Sequence, residues 1–271
     1  MGWLLVSKLK FNRVLSEIMR RYWIQPQDIL NDQVQFEGDT FHHIFSVCRQ
    51  DMGSHFEVLC DKKAYLVQVT NIGKKTARAQ IKETRFIPEL PRPHMHVALS
   101  VSRYQVMDDV VEKLVEMGVA SFHPFFSDYS FVKSANSFPR QKLERWEKIV
   151  ISATQQCGRG ELMKIQAPVN FKNILDQINP AKGQLGLFSY EGEAQSSISG
   201  FLKSRKNSSI TDIWCLVGSE GGFSVQEVEN LKNLGFDPVT LGRQILRVET
   251  ACLTLVSVLK YEFNLMRGDE P

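Results

Sequence analysis

Three prolines within six residues, Pro88, Pro91 and Pro93, split the chain into two stretches with different apolar patterns. Proline cannot donate a ladder hydrogen bond and holds the residue before it extended, so this run ends whatever sheet or helix precedes it. Upstream, Tyr22-Trp23-Ile24 and Gln33–Phe36 read as short strands. The runs His55–Cys60 and Ala64–Thr70, separated by Asp61-Lys62-Lys63, predict a hairpin, and Lys75–Ile81 alternates as a half-buried strand does. Thr40–Arg49 places Phe41, Ile44, Phe45 and Cys48 at helical spacing. Short strands with one short helix predict a small β-barrel over residues 19–90.

Downstream, strands and helices alternate. His96–Val101, Val119–Phe126, Leu185–Phe188, Ile213–Val217 and Pro238–Leu241 are apolar runs of strand length. Helices are expected at Met107–Met117, closed by Gly118, at Ser137–Gln156 with Pro139 in the first turn, at Gln226–Leu234 and at Glu249–Phe263. Such alternation predicts an α/β domain on a mostly parallel sheet, over residues 94–271. Residues 1–18 fit neither pattern and are expected to be an N-terminal extension, since a secretory signal would place its charges before the apolar part.

Charge follows the same division. Residues 1–92 carry 14 Lys/Arg against 10 Asp/Glu, leaving 19 against 20 for the remainder, so the basic excess lies in the first third. That suits docking to nucleic acid. The five cysteines form no C-x-x-C pair, and Cys60, Cys215 and Cys252 sit in apolar runs. Buried thiols in a reducing cytoplasm are the expectation. His42-His43 and His94-x-His96 lack a further ligand, so no metal is expected. No window approaches the roughly 18 apolar residues of a membrane-spanning helix.

The chemistry concentrates in two loops. The strand ending at Leu216-Val217 runs into Gly218-Ser219-Glu220-Gly221-Gly222-Phe223. Ser224 then opens a helix, and Glu227 three residues later completes a capping box. A glycine-rich loop at the carboxyl end of a buried strand is where α/β sheets bind ligands. It lacks the Gly-Lys-Ser/Thr of a P-loop and the glycine spacing of a dinucleotide fingerprint. One helix later comes Leu241-Gly242-Arg243-Gln244-Ile245-Leu246-Arg247-Val248-Glu249-Thr250-Ala251. Glu249 suits a first helical turn, whereas Arg247 between apolar residues calls for a partner or a phosphate.

These two loops together resemble the signature motifs of the SPOUT-class RNA methyltransferases, specifically the ribosomal RNA small subunit methyltransferase E family. Lys113–Val119, Trp146–Arg159 with its Gln155-Gln156-Cys157-Gly158-Arg159, and Met19–Tyr22 extend the likeness over residues 19–267. Four features depart from the family pattern: Ser219 stands where proline is usual, Arg243-Gln244 reverses the usual order, Cys157 replaces serine, and Thr154-Gln155 departs from the usual acid-containing pattern. The resemblance implies a PUA-like barrel followed by an α/β SPOUT domain tied in a deep trefoil knot, and a cytoplasmic homodimer. It implies S-adenosyl-L-methionine as cofactor, and methylation of a uridine N3 in 16S ribosomal RNA, free or within the assembled small subunit. By the same resemblance, Leu187, Phe188, Leu216, Val217, Gly218, Gly221, Gly222, Leu241, Gly242, Ile245 and Leu246 should cradle the cofactor.

N3 of a neutral uridine carries a proton and is a poor nucleophile, so a base or an anion-stabilising group is needed. Glu220 is a candidate base, unless its turn makes it structural, and Arg247 or Arg159 could stabilise the anion or hold a phosphate. Arg20, Arg21, Arg49 and Lys62 on the barrel, with Lys133 and Arg140 beyond it, are the candidate RNA contacts. Methylation of another RNA and non-catalytic RNA binding are the competing readings.

Overall fold

The structure, a computed structural model, describes residues 20–179, 183–192, 196–205 and 210–266, so the expected extension over residues 1–18 lies outside it. The described chain forms two compact units. One comprises the residues up to Glu89 together with Thr154–Glu161, and the other Leu90–Ala153 with the residues from Leu162 onward. The division falls inside the proline stretch, but the return of Thr154–Glu161 to the first unit has no counterpart in the sequence pattern. In that unit the Lys62 N–H donates to the Gly160 carbonyl at 3.1 Å. A Cβ at Gly160 would lie 2.8 Å from Ile87 Cβ, so only glycine permits the approach.

The first unit is a six-stranded sheet. Its strands are β1 (Arg21–Trp23), β2 (Ile29–Leu30), β3 (Gln33–Glu37), β4 (His55–Cys60), β5 (Lys63–Ile72) and β6 (Thr76–Phe86), in the order β1-β4-β5-β6-β3-β2. Both tight hairpins turn on two residues in the left-handed region, Asn31-Asp32 (φ 47° and 60°) and Asp61-Lys62 (φ 46° and 59°). Positive φ at both positions matches the twist of the flanking strands. Strand β6 runs five residues past the expected Ile81, because Glu83–Phe86 pair with Lys63–Leu66 although they carry no apolar alternation. The helix expected at Thr40–Arg49 is instead one α-turn, α1 (Gly38–Phe41), continuing as a π-helix over His42–Val47. Its core-facing residues still meet the sheet: Ile44 is fully buried with Val34, Phe36, Phe56 and Val58.

The second unit is a parallel sheet between two helical layers. Its strands are β7 (His94–Ser100), β8 (Ser121–Phe126), β9 (Lys164–Ile165), β10 (Val169–Asn170), β11 (Gln184–Ser189), β12 (Ser196–Ser197), β13 (Asp212–Val217) and β14 (Asp237–Thr240). They lie in the order β10-β8-β7-β13-β11-β14-β12, with β9 also on β8. The helices are α2 (Tyr104–Glu116), α3 (Arg140–Cys157, whose residues from Thr154 belong to the first unit), α4 (Phe171–Leu175), α5 (Ile198–Arg205), α6 (Val225–Asn233) and α7 (Val248–Glu262). The short α4 and α5 were not expected from the sequence, and α3 begins just after Pro139 rather than enclosing it.

Side-chain alternation along the strands builds both layers. Val97, Leu99, Ile213, Cys215 and Leu187 pack with α2, α3 and α7 around the fully buried Trp146, whose indole N–H donates to Asp108 at 2.8 Å. Ala98, Phe125, Phe188, Trp214 and Leu216 face the other way, against Ile174 of α4 and Val228 and Leu231 of α6. Cys215 and Cys252 are buried, and burial pushes their thiols far above the usual range, Cys252 to about 12. No helix among the described residues is long and apolar enough to cross a membrane.

Candidate active site

The carboxyl ends of three neighbouring parallel strands, β13, β11 and β14, converge on one pocket of about 200 Å³ in the second unit. Each strand ends by releasing a loop into its wall. Val217 and Gly218 come from β13, Ser189 to Glu191 from β11, and Thr240 to Leu246 from β14, while Val248 and Ala251 of α7 close the floor.

The β13 loop is built on close backbone approach. A Cβ at Gly218 would lie 2.7 Å from the Gly222 carbonyl carbon, and Gly222 itself has φ +71°. The Gly222 N–H donates back to the Ser219 carbonyl at 2.9 Å, closing the turn. Ser219, where proline was the expected residue, is buried, and its hydroxyl donates to the Tyr129 carbonyl at 2.6 Å. The loop is thus fastened by a side-chain bond where ring rigidity is missing. A Cβ at Gly221 would meet Tyr129 Cβ at 2.8 Å.

The expected capping box is present and extends further. Ser224 accepts the Glu227 N–H at 3.3 Å, and the Ser224 N–H donates to Glu227 Oε2 at 2.9 Å. The other Glu227 oxygen accepts the Asp128 N–H at 2.9 Å, and the Ser224 hydroxyl donates to Asp128 Oδ2 at 2.5 Å. The helix start after the glycine loop is therefore locked to the loop after β8.

In the β14 loop, Thr240 Oγ1 donates to the Gly242 carbonyl at 2.8 Å, and Gly242 adopts φ +129°. Arg243, Gln244 and Ile245 follow as exposed pocket-lining residues, Ile245 at 77% exposure. Arg247 stands at the N-cap of α7 between the lining residues Leu246 and Val248. It is exposed; its carbonyl accepts the Ala251 N–H at 2.8 Å, and its guanidinium has no hydrogen-bond or ion-pair partner among the described residues.

Of the residues expected around a ligand, Val217, Gly218, Gly221, Gly222, Leu241, Gly242, Ile245 and Leu246 line the pocket. Leu187, Phe188 and Leu216 do not: they are fully buried in the two cores; the wall expected from Leu216 starts at Val217, and that expected from Leu187 and Phe188 comes from Ser189, Tyr190 and Glu191. The signal for these three was the change from an apolar run to Ser-Tyr-Glu-Gly at the strand end.

Glu220 is also absent from the lining. Its Oε1 accepts from Arg103 Nε at 3.1 Å. Burial pushes its carboxyl up, but its own backbone N–H and Arg103 outweigh burial and hold it below the usual carboxylate range. It is a weaker base than an ordinary glutamate, engaged in an ion pair. Arg159 belongs to the first unit, where it is buried, and does not line the pocket.

The candidate RNA contacts divide by what already engages them. Arg21 donates to the buried Glu57 at 3.0 Å, and Arg85 grips the same carboxylate through two bonds at 3.0 and 2.9 Å. Burial pushes Glu57 up, and the arginine pair more than reverses it, holding the carboxyl below its usual range. Arg21 is thus a counter-ion inside the sheet rather than the free cation its position suggested. Lys62 pairs with Glu89 at 2.5 Å, and Arg20 Nη1 reaches the Cys48 carbonyl at 3.0 Å. Arg49 and Arg140 are exposed, and Lys133 donates to the Asp128 carbonyl. No cluster of three metal-ligating side chains occurs among the described residues.

The pocket therefore offers glycine backbone at close range, apolar walls, hydroxyls from Ser189 and Thr240, one carboxylate at Glu191 and one guanidinium at Arg243. That set suits a ligand with a flat apolar part, hydroxyl groups and both signs of charge.

Known proteins point the same way. A family model described as an RNA methyltransferase domain matches residues 88–260, and one described as an RNA methyltransferase PUA domain matches residues 36–82. The ribosomal RNA small subunit methyltransferase E of Aquifex aeolicus is 32% identical over 224 residues, covering 82% of this chain and 91% of that protein. Its namesake from Mesomycoplasma hyopneumoniae is 31% identical over 221 residues, covering 80% and 89%. The crystal structure of the Neisseria gonorrhoeae ribosomal RNA small subunit methyltransferase E bound to S-adenosyl methionine superimposes with a TM-score of 0.77 at 27% identity, covering 90% of this chain and 97% of that one.

Proposed function

The chain belongs to the ribosomal RNA small subunit methyltransferase E family, and from that premise we propose that it transfers a methyl group from S-adenosylmethionine to N3 of one uridine in 16S ribosomal RNA. The observation that carries the reading is the pocket at the ends of β11, β13 and β14, walled by Gly218–Gly222 and Leu241–Leu246. The cofactor fits what is there: the Gly218 site has no room for a Cβ, and the lining supplies apolar, hydroxyl and charged groups in the variety that an adenosyl amino acid presents.

When bound, S-adenosylmethionine supplies an electrophilic methyl group on a sulfonium. In this reading Val217, Leu241, Ile245, Leu246 and Ala251 enclose the base, Glu191 and Thr240 receive hydroxyls, and Arg243 receives the carboxylate. Arg247, at the pocket edge with its guanidinium unpartnered among the described residues, stabilises the uridine anion left when N3 gives up its proton to solvent. Glu220 holds Arg103 in place rather than acting as the base. Fixing the uridine against the pocket mouth supplies much of the rate.

The same reading includes finer structural features. The bulges between β5 and β6 support the curvature of a PUA-like barrel. The order β13-β11-β14 makes the chain cross β11, and α7 then returns to pack with β13 and α2, a crossing that suits a deep trefoil knot. Exposed Ile245 and Tyr261, each at least 75% exposed, suit burial in a homodimer. Domain limits of 19–90 and 94–271 and a cytoplasmic setting complete it. A calorimetric titration with S-adenosylmethionine tests the reading: saturable binding supports it, and folded protein that binds none rejects it.

A further inference from the structure

The loop after β8 carries two large aromatic rings into solvent, and nothing in the reaction above uses them. Tyr129 is 52% exposed and Phe131 57%. Burying a ring is among the larger apolar gains open to a loop, so a displayed ring invites a partner. The backbone beneath these rings is firmly held. The Tyr129 carbonyl accepts the Ser219 hydroxyl at 2.6 Å, the Phe131 N–H donates to the Val101 carbonyl at 2.7 Å, and the Ser127 N–H donates to Ser130 Oγ at 2.6 Å. Ser100, Ser127 and Ser130 close a buried hydroxyl cluster below, with Oγ separations of 2.5 to 3.1 Å.

Tyr129 also sits against the pocket wall. A Cβ at the lining residue Gly221 would lie 2.8 Å from Tyr129 Cβ. Cations accompany the ring. Arg103 has a 70% exposed side chain, its Nε fixed by Glu220 while its terminal nitrogens have no partner among the described residues. Lys133 is exposed and anchored on the Asp128 carbonyl.

We propose that Tyr129 is a stacking platform for a nucleobase of the substrate RNA at the mouth of the methyl-donor pocket, with Arg103 and Lys133 taking the adjoining phosphates. The inference rests on the RNA-methylation reading and adds the surface that receives the RNA. A base drawn out of its stack needs a replacement face, and an aromatic ring on a fixed backbone supplies one with little ordering cost. The flanking cations add the salt-dependent attraction to phosphate.

The test compares wild type with Tyr129→Ala, Tyr129→Phe and Tyr129→Trp, using 16S ribosomal RNA at one fixed salt concentration. Four quantities are read: RNA affinity, methyl transfer, S-adenosylmethionine affinity and sedimentation. Tyr129→Ala should weaken RNA binding roughly 5- to 150-fold, the span for losing one stacked base, and lower methyl transfer with it. Tyr129→Phe and Tyr129→Trp should stay near wild type, and cofactor affinity should not move. RNA affinity unchanged in Tyr129→Ala overturns the proposal. So does loss of cofactor binding, which would make the ring a prop for the glycine loop, or a changed association state, which would make it a contact between copies of the chain. If wild type itself transfers no methyl group to RNA, the underlying reading fails independently of Tyr129.

Discussion

Gly218 and Gly222 touch so closely that a methyl group on the first would lie 2.7 Å from the carbonyl carbon of the second. Both line the pocket, so the contact sets the shape of its wall. Gly218→Ala must push the Gly222 backbone aside, and overpacking of this kind costs about 1–3 kcal/mol. That displacement should weaken S-adenosylmethionine binding roughly 5- to 150-fold if it falls on the pocket wall. Gly235 provides the control: it has φ +86°, open space around a Cβ, and a position after α6 outside the pocket. Gly235→Ala should cost about 1–2 kcal/mol of stability through left-handed strain and leave cofactor affinity unchanged. Calorimetric titration of both variants checks this, and equal affinities would dissociate the glycine contact from the cofactor.

The two arginines of the β14 loop should separate binding from chemistry. Arg243 lines the pocket, whereas Arg247 stands at its edge, its guanidinium without a partner among the described residues. Arg243→Ala should lower cofactor affinity about 10- to 100-fold, the loss expected for one hydrogen bond to a charged group. Arg247→Ala should bind cofactor normally but lower kcat about 100-fold or more, as when an anion-stabilising donor is removed. Unchanged turnover in Arg247→Ala would take it out of the reaction.

Glu227 joins the helix after the glycine loop to the loop after β8 by accepting the Ser224 and Asp128 N–H groups, both at 2.9 Å. The residue is 4% exposed, so removing its carboxylate leaves both donors without an acceptor. Glu227→Ala should lower unfolding free energy by about 2–3 kcal/mol, and Ser224→Ala by about 1 kcal/mol. Urea denaturation of the two variants tests the ordering, and a Glu227→Ala loss no larger than that of Ser224→Ala would contradict it.

Acid sensitivity should arise at the amino ends of the parallel strands. His123 bonds Ser121 Oγ at 2.7 Å, and the same hydroxyl lies 2.6 Å from His96 Nδ1, whose Nε2 lies 2.9 Å from Asp212. Burial, with His96 nearby, pushes His123 down to about 4 from the ordinary imidazole value of 6.5. Burial also lowers His96, against the pull of Asp212. Between about pH 6.5 and 4 the unfolded chain takes up a proton that the folded chain refuses, so stability complete above this window declines through it. The His123 contribution is at most about 3 kcal/mol. Unfolding free energies at pH 7.5 and 5 should fall more for wild type than for His123→Gln, and equal falls would reject this assignment.

What could be read from the sequence was largely what is local. The Ser224–Glu227 capping box, the glycine run after β13, and the hairpin around Asp61-Lys62 each depend on residues a few positions apart. The side chain of Glu220 finds Arg103 across 117 positions, and no local pattern announces that pairing. The pocket wall was misplaced onto Leu187 and Phe188 because strand β11 continues through Ser189, which pairs with Val239 of β14. Only that register shows where the strand ends and its loop begins. The π-helix over His42–Val47 kept the spacing of an α-helix closely enough to hide, and the return of Thr154–Glu161 depends on a glycine contact with Ile87.

The most direct measurement is methyl transfer itself. Purified protein incubated with methyl-labelled S-adenosylmethionine and 16S ribosomal RNA, free or in small subunits, should place label on a single uridine, located at N3 by mass spectrometry of the digested RNA. Gly218→Ala should place less at the same cofactor concentration and recover as that concentration is raised. Folded protein that binds the cofactor yet labels no RNA, or labels another atom or base, would contradict the account.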